Sequence, residues 1–425
     1  MKINLLTKWT AVCLLTGATH AFAADANDVQ LDVFDFQGVL KLGLERYPTI
    51  RQQQALLAAK DFQTTAAEGQ RFPSFGVEAS SRSDSSNTAA LTMRMPIISF
   101  GRIDADIDLS KAESEVEKVR IENSENQLVE RLSNAYIIYL GLMKKLRVAQ
   151  VSLRQQKQLL QRIQRRSMNG LNSDSDQRTI SSRVTMSISR EQDLEIKIEE
   201  KRNEFSNLLG IEIRQLQPIN QDIFDMLTTA NWKEELAQKN IDLRILNLQL
   251  EVLRKQQEQV RLSDRPTVNL TASQPFAFGR NTFTSQNDFA VGVEFKYEFN
   301  GMGTVKSARL KEYESLKEAK QEELQTATIE LTQKISVAWT NISSIEKTLI
   351  PTQKNLIEDL DTNVESFERQ FLSGRKSLLD LLNTQRELTD AKNQLIDYET
   401  EQLGRKIIIA TALNKLKTLA KGSSR

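Results

Sequence analysis

The sequence predicts a mainly α-helical protein made of two tandem copies of one unit, each copy combining two β-strands with a very long helical hairpin. Two observations lead to this fold class. The motif Gly-x-x-Ser-x-x-Asp occurs at Gly170 and again at Gly374. Turn-forming residues are also scarce, with 16 glycines and 7 prolines among 425 residues, which indicates few turns and long helices.

Each copy of the motif has the residue types that end one helix and begin another. The glycine supplies the left-handed geometry that commonly ends a helix. The serine and aspartate that follow, Ser173 with Asp176 and Ser377 with Asp380, can cap the free N–H groups of the returning helix. We therefore expect two hairpin tips that point the same way.

The first 23 residues are typical of an export signal. Lys2 and Lys8 flank a short apolar run, and Ala21-Phe22-Ala23 is a small-x-small cleavage site. The run is far shorter than the roughly 20 residues that a membrane-crossing helix needs. We expect cleavage after Ala23 and a mature chain that begins near Ala24.

The only cysteine, Cys13, and the only histidine, His20, both lie in this predicted signal. A mature chain without them has no Ser-His-Asp triad and no His- or Cys-bound zinc or haem, so we expect no cofactor and no enzyme. A carboxylate-dependent enzyme is the alternative. Cys13 as a lipid-anchor residue is disfavoured, because Thr10-Ala11-Val12 is a poor lipobox and the Ala-x-Ala site follows it.

Charge and hydropathy exclude two further classes of protein. The formal net charge is +1 and no basic tract stands out, so nothing indicates a nucleic-acid partner. Beyond the signal, no apolar run is long enough for a membrane-spanning helix. Contact with a membrane would therefore be made by strands.

The duplication also predicts the domain boundaries. Phe72-Pro73-Ser-Phe75 aligns with Arg265-Pro266-Thr-Val268, and Gly101 aligns with Gly303. We expect a signal at 1–23, a first repeat at 24–217, a linker at 218–227, a second repeat at 228–419 and a tail at 420–425.

The strand regions alternate between apolar and polar residues, as a half-buried or membrane strand requires. We predict that Leu91, Met93, Val291 and Phe295 touch membrane lipid, and that Glu294 and Lys296 face a lumen. Nine of the 17 phenylalanines lie in these regions, as expected of aromatic girdles at membrane interfaces. The alternative is a soluble sheet packed on a helix. Because about eight strands are needed to close a barrel, four strands per chain imply that several chains share one.

The helices carry heptad seams of the kind that form coiled coils. From Ile103 to Met168 a helix of about 65 residues would reach roughly 100 Å. Pro351 interrupts the matching helix of the second copy, where it must bend the rod or open a hydrogen bond. In the first copy the predicted seam includes Leu153, Gln156 and Ile163 on the long helix, and Ile180, Val184 and Ser187 on the returning helix. In the second copy the predicted seam comprises Leu331, Ile335, Ala338, Ile342, Ile345, Leu349 and Leu356.

With its tandem copies, its strand entries at Pro73 and Pro266, its glycines at Gly101 and Gly303 and its two tips, the chain resembles the TolC-like outer-membrane factor family. The resemblance covers essentially the whole mature sequence. It implies a homotrimer whose twelve strands form one outer-membrane β-barrel, continued by an α-helical barrel across the periplasm. It also implies that the protein works together with a periplasmic adaptor and an inner-membrane transporter, which would be either an ABC transporter or a proton-driven pump.

The resemblance also implies roles at the tips. Asp380 stands where the family has the first aspartate of an Asp-x-x-Asp pair that narrows the periplasmic mouth, and Asn383 stands at the second position. Lys376 replaces an arginine and Phe371 a tyrosine of the linkages that hold this gate closed, while Asp176 matches an acidic partner on the first tip. Adaptor docking is expected at Gly170, Leu171, Gly374 and Arg375.

Two functions of different classes fit these residues. The first is a passive exit duct. Because the poor lipobox argues against a lipidated drug-efflux factor, we expect the duct to serve type I protein secretion rather than small-molecule efflux. The second is an exported coiled-coil scaffold without a pore.

Overall fold

The computed structural model describes residues 33–81, 87–170, 172–213, 215–219, 231–278, 288–298 and 300–420. The predicted export signal, Leu171, most of the predicted linker and nearly all of the predicted tail lie outside these residues. Within the described ranges, no helix combines the length and the apolar character needed to cross a bilayer.

The first half of the chain runs helix, strand, strand, long helix, tip and returning helix. Its elements are β1 (Val33–Phe34), α1 (Phe36–Arg46), α2 (Pro48–Gly69), β2 (Ser74–Ser81), β3 (Asn87–Ile98), α3 (Arg102–Met168), α4 (Asp174–Leu209) and β4 (Gln215–Leu216). With 67 residues, α3 is the predicted long rod.

The second half repeats this order. Its elements are α5 (Trp232–Lys239), α6 (Ile241–Leu262), β5 (Thr267–Phe278), β6 (Ala290–Lys296), α7 (Thr304–Ser344), a π-helical turn (Ile345–Leu349), α8 (Ile350–Leu372), α9 (Leu378–Ala412) and α10 (Leu416–Ala420). Here the long rod consists of α7, the π-helical turn and α8.

The two halves enter their long helices through the same unusual backbone. Phe100 and Gly101 have φ angles of 49° and 87°, and Met302 and Gly303 have 52° and 83°. Left-handed geometry is strained for Phe100 and Met302, which carry a Cβ, but costs little at the glycines. This repeated bend confirms the alignment of Gly101 with Gly303.

Strands β2, β3, β5 and β6 form one antiparallel sheet in that order, so β2 and β6 are its edges. The prolines act as predicted at its borders, because β2 begins directly after Pro73 and β5 directly after Pro266. A register shift between Pro96 and Ile98 ends the regular pairing of β3 with β5, as a proline within a strand favours.

The sheet separates an apolar face from a polar face, as the alternation predicts. Phe75, Met93, Ala272 and Val291 are directly opposite one another on successive strands and form one apolar row. The adjacent row is Ser74, Arg94, Thr271 and Gly292. On this polar face Glu294 accepts a hydrogen bond from Asn269 at 3.1 Å and pairs with Arg94 at 3.1 Å.

The helices form a layer four helices wide that is open at both edges. Near the sheet, α2 packs on α3, α3 on α6, and α6 on α7. Towards the tips, α4 packs on α3, α3 on α9, and α9 on α8. The long helix α3 is therefore central to both parts, and each layer leaves its two outer helices with a neighbour on one side only.

Tyr136 is the largest fully buried side chain of the main core and joins three parts of the chain. Its hydroxyl donates a hydrogen bond to the Gln217 carbonyl at 2.7 Å, where β4 pairs with β1. The ring packs edge-on against Phe36 and Phe205. Burial raises the pKa of Tyr136, so the hydroxyl stays protonated and remains a donor at neutral pH.

Tyr136→Phe is expected to lower the free energy of unfolding by about 1 kcal/mol, since it removes the hydrogen bond to the Gln217 carbonyl while keeping the ring. Tyr313→Phe is the matched control, because Tyr313 is partly exposed and makes no hydrogen bond within the described chain. Thermal unfolding of both variants in detergent measures the difference. Equal melting temperatures would contradict the structural role of the hydroxyl.

The apolar seam of the second rod differs from the prediction beyond Ile345. Leu349 and Leu356, predicted as seam residues, are 37% and 44% exposed. The residues that turn inward are instead Ile350, Gln353, Ile357, Leu360, Val364, Phe367 and Phe371. The seam advances by steps of three and four on both sides but by five from Ile345 to Ile350, where the Ile350 N–H donates to the Ile345 carbonyl. This π-helical turn is how the rod accommodates Pro351.

Candidate functional site at the hairpin tips

The first tip is closed by the residues that the motif predicts. Helix α3 ends at Met168, and Gly170 adopts a left-handed φ of 69°. Ser173 is the N-cap of α4 and accepts a hydrogen bond from the Asp176 N–H at 3.1 Å, while the Asp176 carboxylate accepts from the Ser173 N–H. This reciprocal pair is a capping box.

The second tip has the same geometry. Gly374 has a φ of 76°, and the Arg375 N–H donates to the Gln370 carbonyl at 2.9 Å, which closes the end of α8. Ser377 caps α9 and forms the second capping box with Asp380. In both copies the duplicated motif therefore ends one helix at a left-handed glycine and caps the next helix with a serine and an aspartate.

An apolar cluster holds the two tips side by side. We call it the tip cluster; its buried members are Leu159, Ile163, Ile180, Phe371, Leu378, Leu381 and Leu382. They come from both hairpins, and Ile163, Ile180 and Leu381 are fully buried. The hairpins thus pack as a unit down to their last turns.

Polar contacts add a second link between the tips. The Arg166 guanidinium donates to Asn172 Oδ1 at 2.7 Å and to the Leu372 carbonyl at 3.2 Å, and lies 5.8 Å from the centroid of the Phe371 ring. Asn172 in turn donates to Asp176 at 3.1 Å. One turn further up, Arg162 pairs with Glu368. Phe371 and Asp176, predicted for the gate, therefore belong to one network within a single chain.

Asp380 is exposed and acts as a capping carboxylate in this chain. The Ser377 hydroxyl donates to it at 2.8 Å and the Ser377 N–H at 3.3 Å. These hydrogen bonds, with a smaller effect of the Lys376 charge, lower the pKa of Asp380. Three Asp380 carboxylates brought close together would instead raise one another's pKa by mutual repulsion. The proposed carboxylate ring therefore requires neighbouring copies of the chain.

Within the described chain, Lys376 makes no ion pair with a carboxylate. Its ammonium lies 4.4 Å from the centroid of the Phe367 ring, where a cation–π contact stabilises the tip. Asn383 is partly exposed on α9, and Arg375 is exposed in the turn. Of the residues predicted for adaptor docking, Gly170, Gly374 and Arg375 lie at the tips, and Leu171 is not among the described residues.

Sequence reasoning missed Arg166 and the Arg162–Glu368 pair. Arg166 precedes the first tip glycine by one helical turn, but its partners Leu372 and Phe371 belong to the other hairpin. One sequence signal could have indicated these contacts, namely the offset between Gly170 and Gly374. Applied to Arg166 and Arg162, this offset aligns both arginines with residues in the last turns of α8.

Acid is expected to weaken the cap of the second tip. Because hydrogen bonding lowers the pKa of Asp380, its contribution to stability is present above the unfolded-state value of about 4 and is lost as the pH falls through the folded value. Proteolysis of the 370–378 turn should therefore accelerate at low pH, and less so in Asp380→Ala, which is already uncapped. An identical acid response in both proteins would contradict this role.

The chain matches the family model for outer membrane efflux proteins at residues 39–210 and 232–415, one segment in each half. The chain belongs to the outer membrane efflux protein family. Sequence comparison with curated proteins finds no match.

Solved structures of outer-membrane channels share the fold of this family member. CusC superposes with a TM-score of 0.79 at 15% identity, over 89% of this chain and 91% of CusC. VceC from Vibrio cholerae gives 0.76 at 15%, over 89% and 95%. MtrE from Neisseria gonorrhoeae, solved in an open state, gives 0.74 at 14%, over 90% and 89%. At these identities the likeness concerns the fold alone.

Membership confirms the predicted TolC-like architecture, with its tandem helical hairpins and small antiparallel sheet. It also places the protein in the outer membrane, with its helical part extending into the periplasm. Proteins of this family are passive channels rather than enzymes, and they work as trimers with periplasmic adaptors and inner-membrane pumps.

Proposed function

We propose that three copies of this chain assemble into a passive exit duct of a tripartite export system, joined at its tips to a periplasmic adaptor and an inner-membrane transporter. The observation that carries the proposal is that the strand layer and the helix layer are both open at both edges. Layers of this kind are completed when identical copies add around an axis and the ring closes.

The sheet edges are suited to such closure. Each strand is antiparallel to its neighbour, so β2 and β6, the first and last of four, run in opposite directions. The β6 edge of one copy can therefore pair with the β2 edge of the next without breaking the antiparallel order. Twelve strands from three copies would give a β-barrel with a lumen, which eight strands do not leave.

The outer helices near the sheet also carry apolar residues that lack cover within one chain. Leu56 and Phe62 are exposed on α2, and Leu316 and Ile329 are exposed on α7 at the opposite edge. Exposed apolar patches of this kind mark association surfaces. A neighbouring copy would cover both sets by packing its α7 edge against α2.

Two measurements test the duct. Mass determination in mild detergent should give three copies per particle, and purified protein in planar bilayers should show discrete conductance steps. A folded monomer without such steps would instead support the exported coiled-coil scaffold.

For the cargo, we propose protein secretion of the type I class, on the sequence grounds given for Cys13. The second candidate is small-molecule efflux, which the description of the matching family favours. Deletion of the gene separates the two. Loss of one secreted protein with unchanged drug sensitivity supports secretion, whereas increased sensitivity with an unchanged set of secreted proteins supports efflux.

We also propose that Asp380, Asn383, Lys376, Phe371 and Asp176 form the periplasmic gate, and that the tip turns dock the adaptor. Around a three-fold axis, three copies of Asp380 would form a carboxylate ring that attracts cations. The packing of the two tips within one chain supports this proposal, because it fixes the position of Asp380.

Asp380→Ala is expected to reduce the preference of the channel for cations, since it removes the proposed ring. Asp359→Ala is the matched control, because this exposed residue of α8 makes no ion pair within the described chain. Lys376→Ala should raise open-channel conductance by removing the contact with Phe367. Single-channel recording measures both effects, and unchanged selectivity in Asp380→Ala would leave Asp380 as a helix cap only.

A further inference from the structure

A cavity of about 290 Å³ lies between the two hairpins, next to the tip cluster, with which it shares Leu382. Its floor belongs to α3 and its walls to α4 and α9, so it is complete within one chain. Neither the channel function nor the proposed gate uses it.

The floor of this cavity is polar where a coiled coil would be apolar. Gln156 and Ser187 occupy seam positions, which heptads normally fill with aliphatic residues. The Ser187 hydroxyl donates to Gln156 Oε1 at 2.7 Å. Ser152 contacts Gln156 Nε2 at 3.4 Å and the Thr389 hydroxyl at 3.3 Å. Four hydrogen-bonding side chains therefore replace apolar packing at one level of the rod.

The walls carry three arginines, with spacings that direct them into the same groove. Arg183 and Arg190 are seven residues apart on α4, close to two helical turns, and Arg386 faces them from α9. Arg190 pairs with Asp390 at 3.4 Å. Within the described part of the chain, neither Arg183 nor Arg386 has an ion-pair partner, and no carboxylate lines the cavity.

Two uncompensated guanidinium groups above a floor of hydroxyl and amide groups match the chemistry of an oxyanion. Guanidinium donates to phosphate and sulfate oxygens through paired N–H groups. In the floor, the Ser187 hydroxyl already donates to Gln156 and the Thr389 hydroxyl to a backbone carbonyl. The Ser152 hydroxyl only accepts within the floor, so its proton can be donated to the anion. We propose that this cavity binds a free, multiply charged oxyanion of the phosphate or sulfate class. Bound there, the anion would bridge α4 and α9 and so fasten the first hairpin to the second.

The test uses the full chain purified in detergent, titrated with inorganic phosphate, with sulfate and with chloride at constant ionic strength. Phosphate and sulfate should raise the melting temperature in a saturable manner, because a ligand that binds only the folded state stabilises it. Chloride should not. Isothermal titration calorimetry should give a single class of sites with about one oxyanion per chain.

Variants assign the effect to the cavity. Arg183→Gln and Arg386→Gln should each weaken binding by about tenfold, the size expected for loss of a charge-assisted contact. Arg178→Gln is the matched control, because Arg178 lies on the same helix, is exposed and makes no ion pair within the described chain. Arg183→Lys keeps the charge but loses the paired donors, so it should bind with intermediate affinity.

Three outcomes would overturn the proposal. An equal shift in Arg178→Gln and the two cavity variants would identify a general salt effect. Absence of any saturable shift in the parent protein would mean that there is no site for a free oxyanion. Binding of an acidic peptide without binding of phosphate or sulfate would make the cavity a protein-docking site instead.

Discussion

Val291→Arg is expected to reduce assembly of the protein in outer membranes strongly. Val291 is exposed on β6 and continues the apolar row formed by Phe75, Met93 and Ala272. If this face meets lipid, an arginine near the bilayer midplane costs about 2–4 kcal/mol. The amount of the protein recovered in the outer-membrane fraction measures the effect.

Gly292→Arg is the control for this substitution, since it places the same side chain one residue further along on the opposite face. Gly292 has ordinary backbone geometry, and a Cβ there would lie 3.7 Å from the Thr271 hydroxyl, so the site admits a side chain. We expect near-normal assembly. If Gly292→Arg fails and Val291→Arg assembles, the lipid face and the lumen face have been interchanged.

Leu381→Ala is expected to separate the two hairpin tips. Leu381 is fully buried in the tip cluster, between residues of both hairpins. Deleting a buried leucine side chain to alanine typically costs about 2–5 kcal/mol, through lost burial and the cavity left behind. Amide hydrogen exchange in the last turns of α3 and α8 and in the first turns of α4 and α9 should therefore accelerate, while exchange around Tyr136 stays unchanged.

Leu379→Ala provides the control on the same turn of α9. Leu379 is 54% exposed and outside the tip cluster, and substitutions at such positions usually change stability by no more than about 0.5 kcal/mol. Equal exchange rates in the two variants would show that the tips are held by the Arg166 network rather than by apolar packing.

The sequence was sufficient to predict those structural features that depend on residues close together along the chain. The capping boxes at Ser173 and Ser377 could be predicted because a cap is a contact across three residues. The two faces of the sheet followed from strand alternation, since side chains on a strand point alternately to opposite sides. The glycines at both tips followed from the backbone geometry that a helix end requires.

Long-range choices could not be predicted in this way. The contact of Lys376 with Phe367 depends on the packing of α8 against α9. Arg166 finds its carbonyl partner in the other hairpin. At Pro351 the sequence predicted a bend or an open hydrogen bond. It did not predict that the helix would absorb one additional residue in a π-helical turn and so move the seam from Leu349 to Ile350.

The step of five residues from Ile345 to Ile350 lets the second rod hold one residue more than a regular heptad pattern without losing its inward face. Deleting one residue from this turn would shorten the step to four, and an unbroken α-helix would still place Phe371 in the tip cluster with Phe367 packed against it. Deleting one residue elsewhere in the rod would instead rotate everything below it by about 100° and turn both rings out of the cluster. Insertions or deletions of seven residues on either side would preserve the contact. Changes in rod length that keep the tips together are therefore limited to heptads and to this single additional residue.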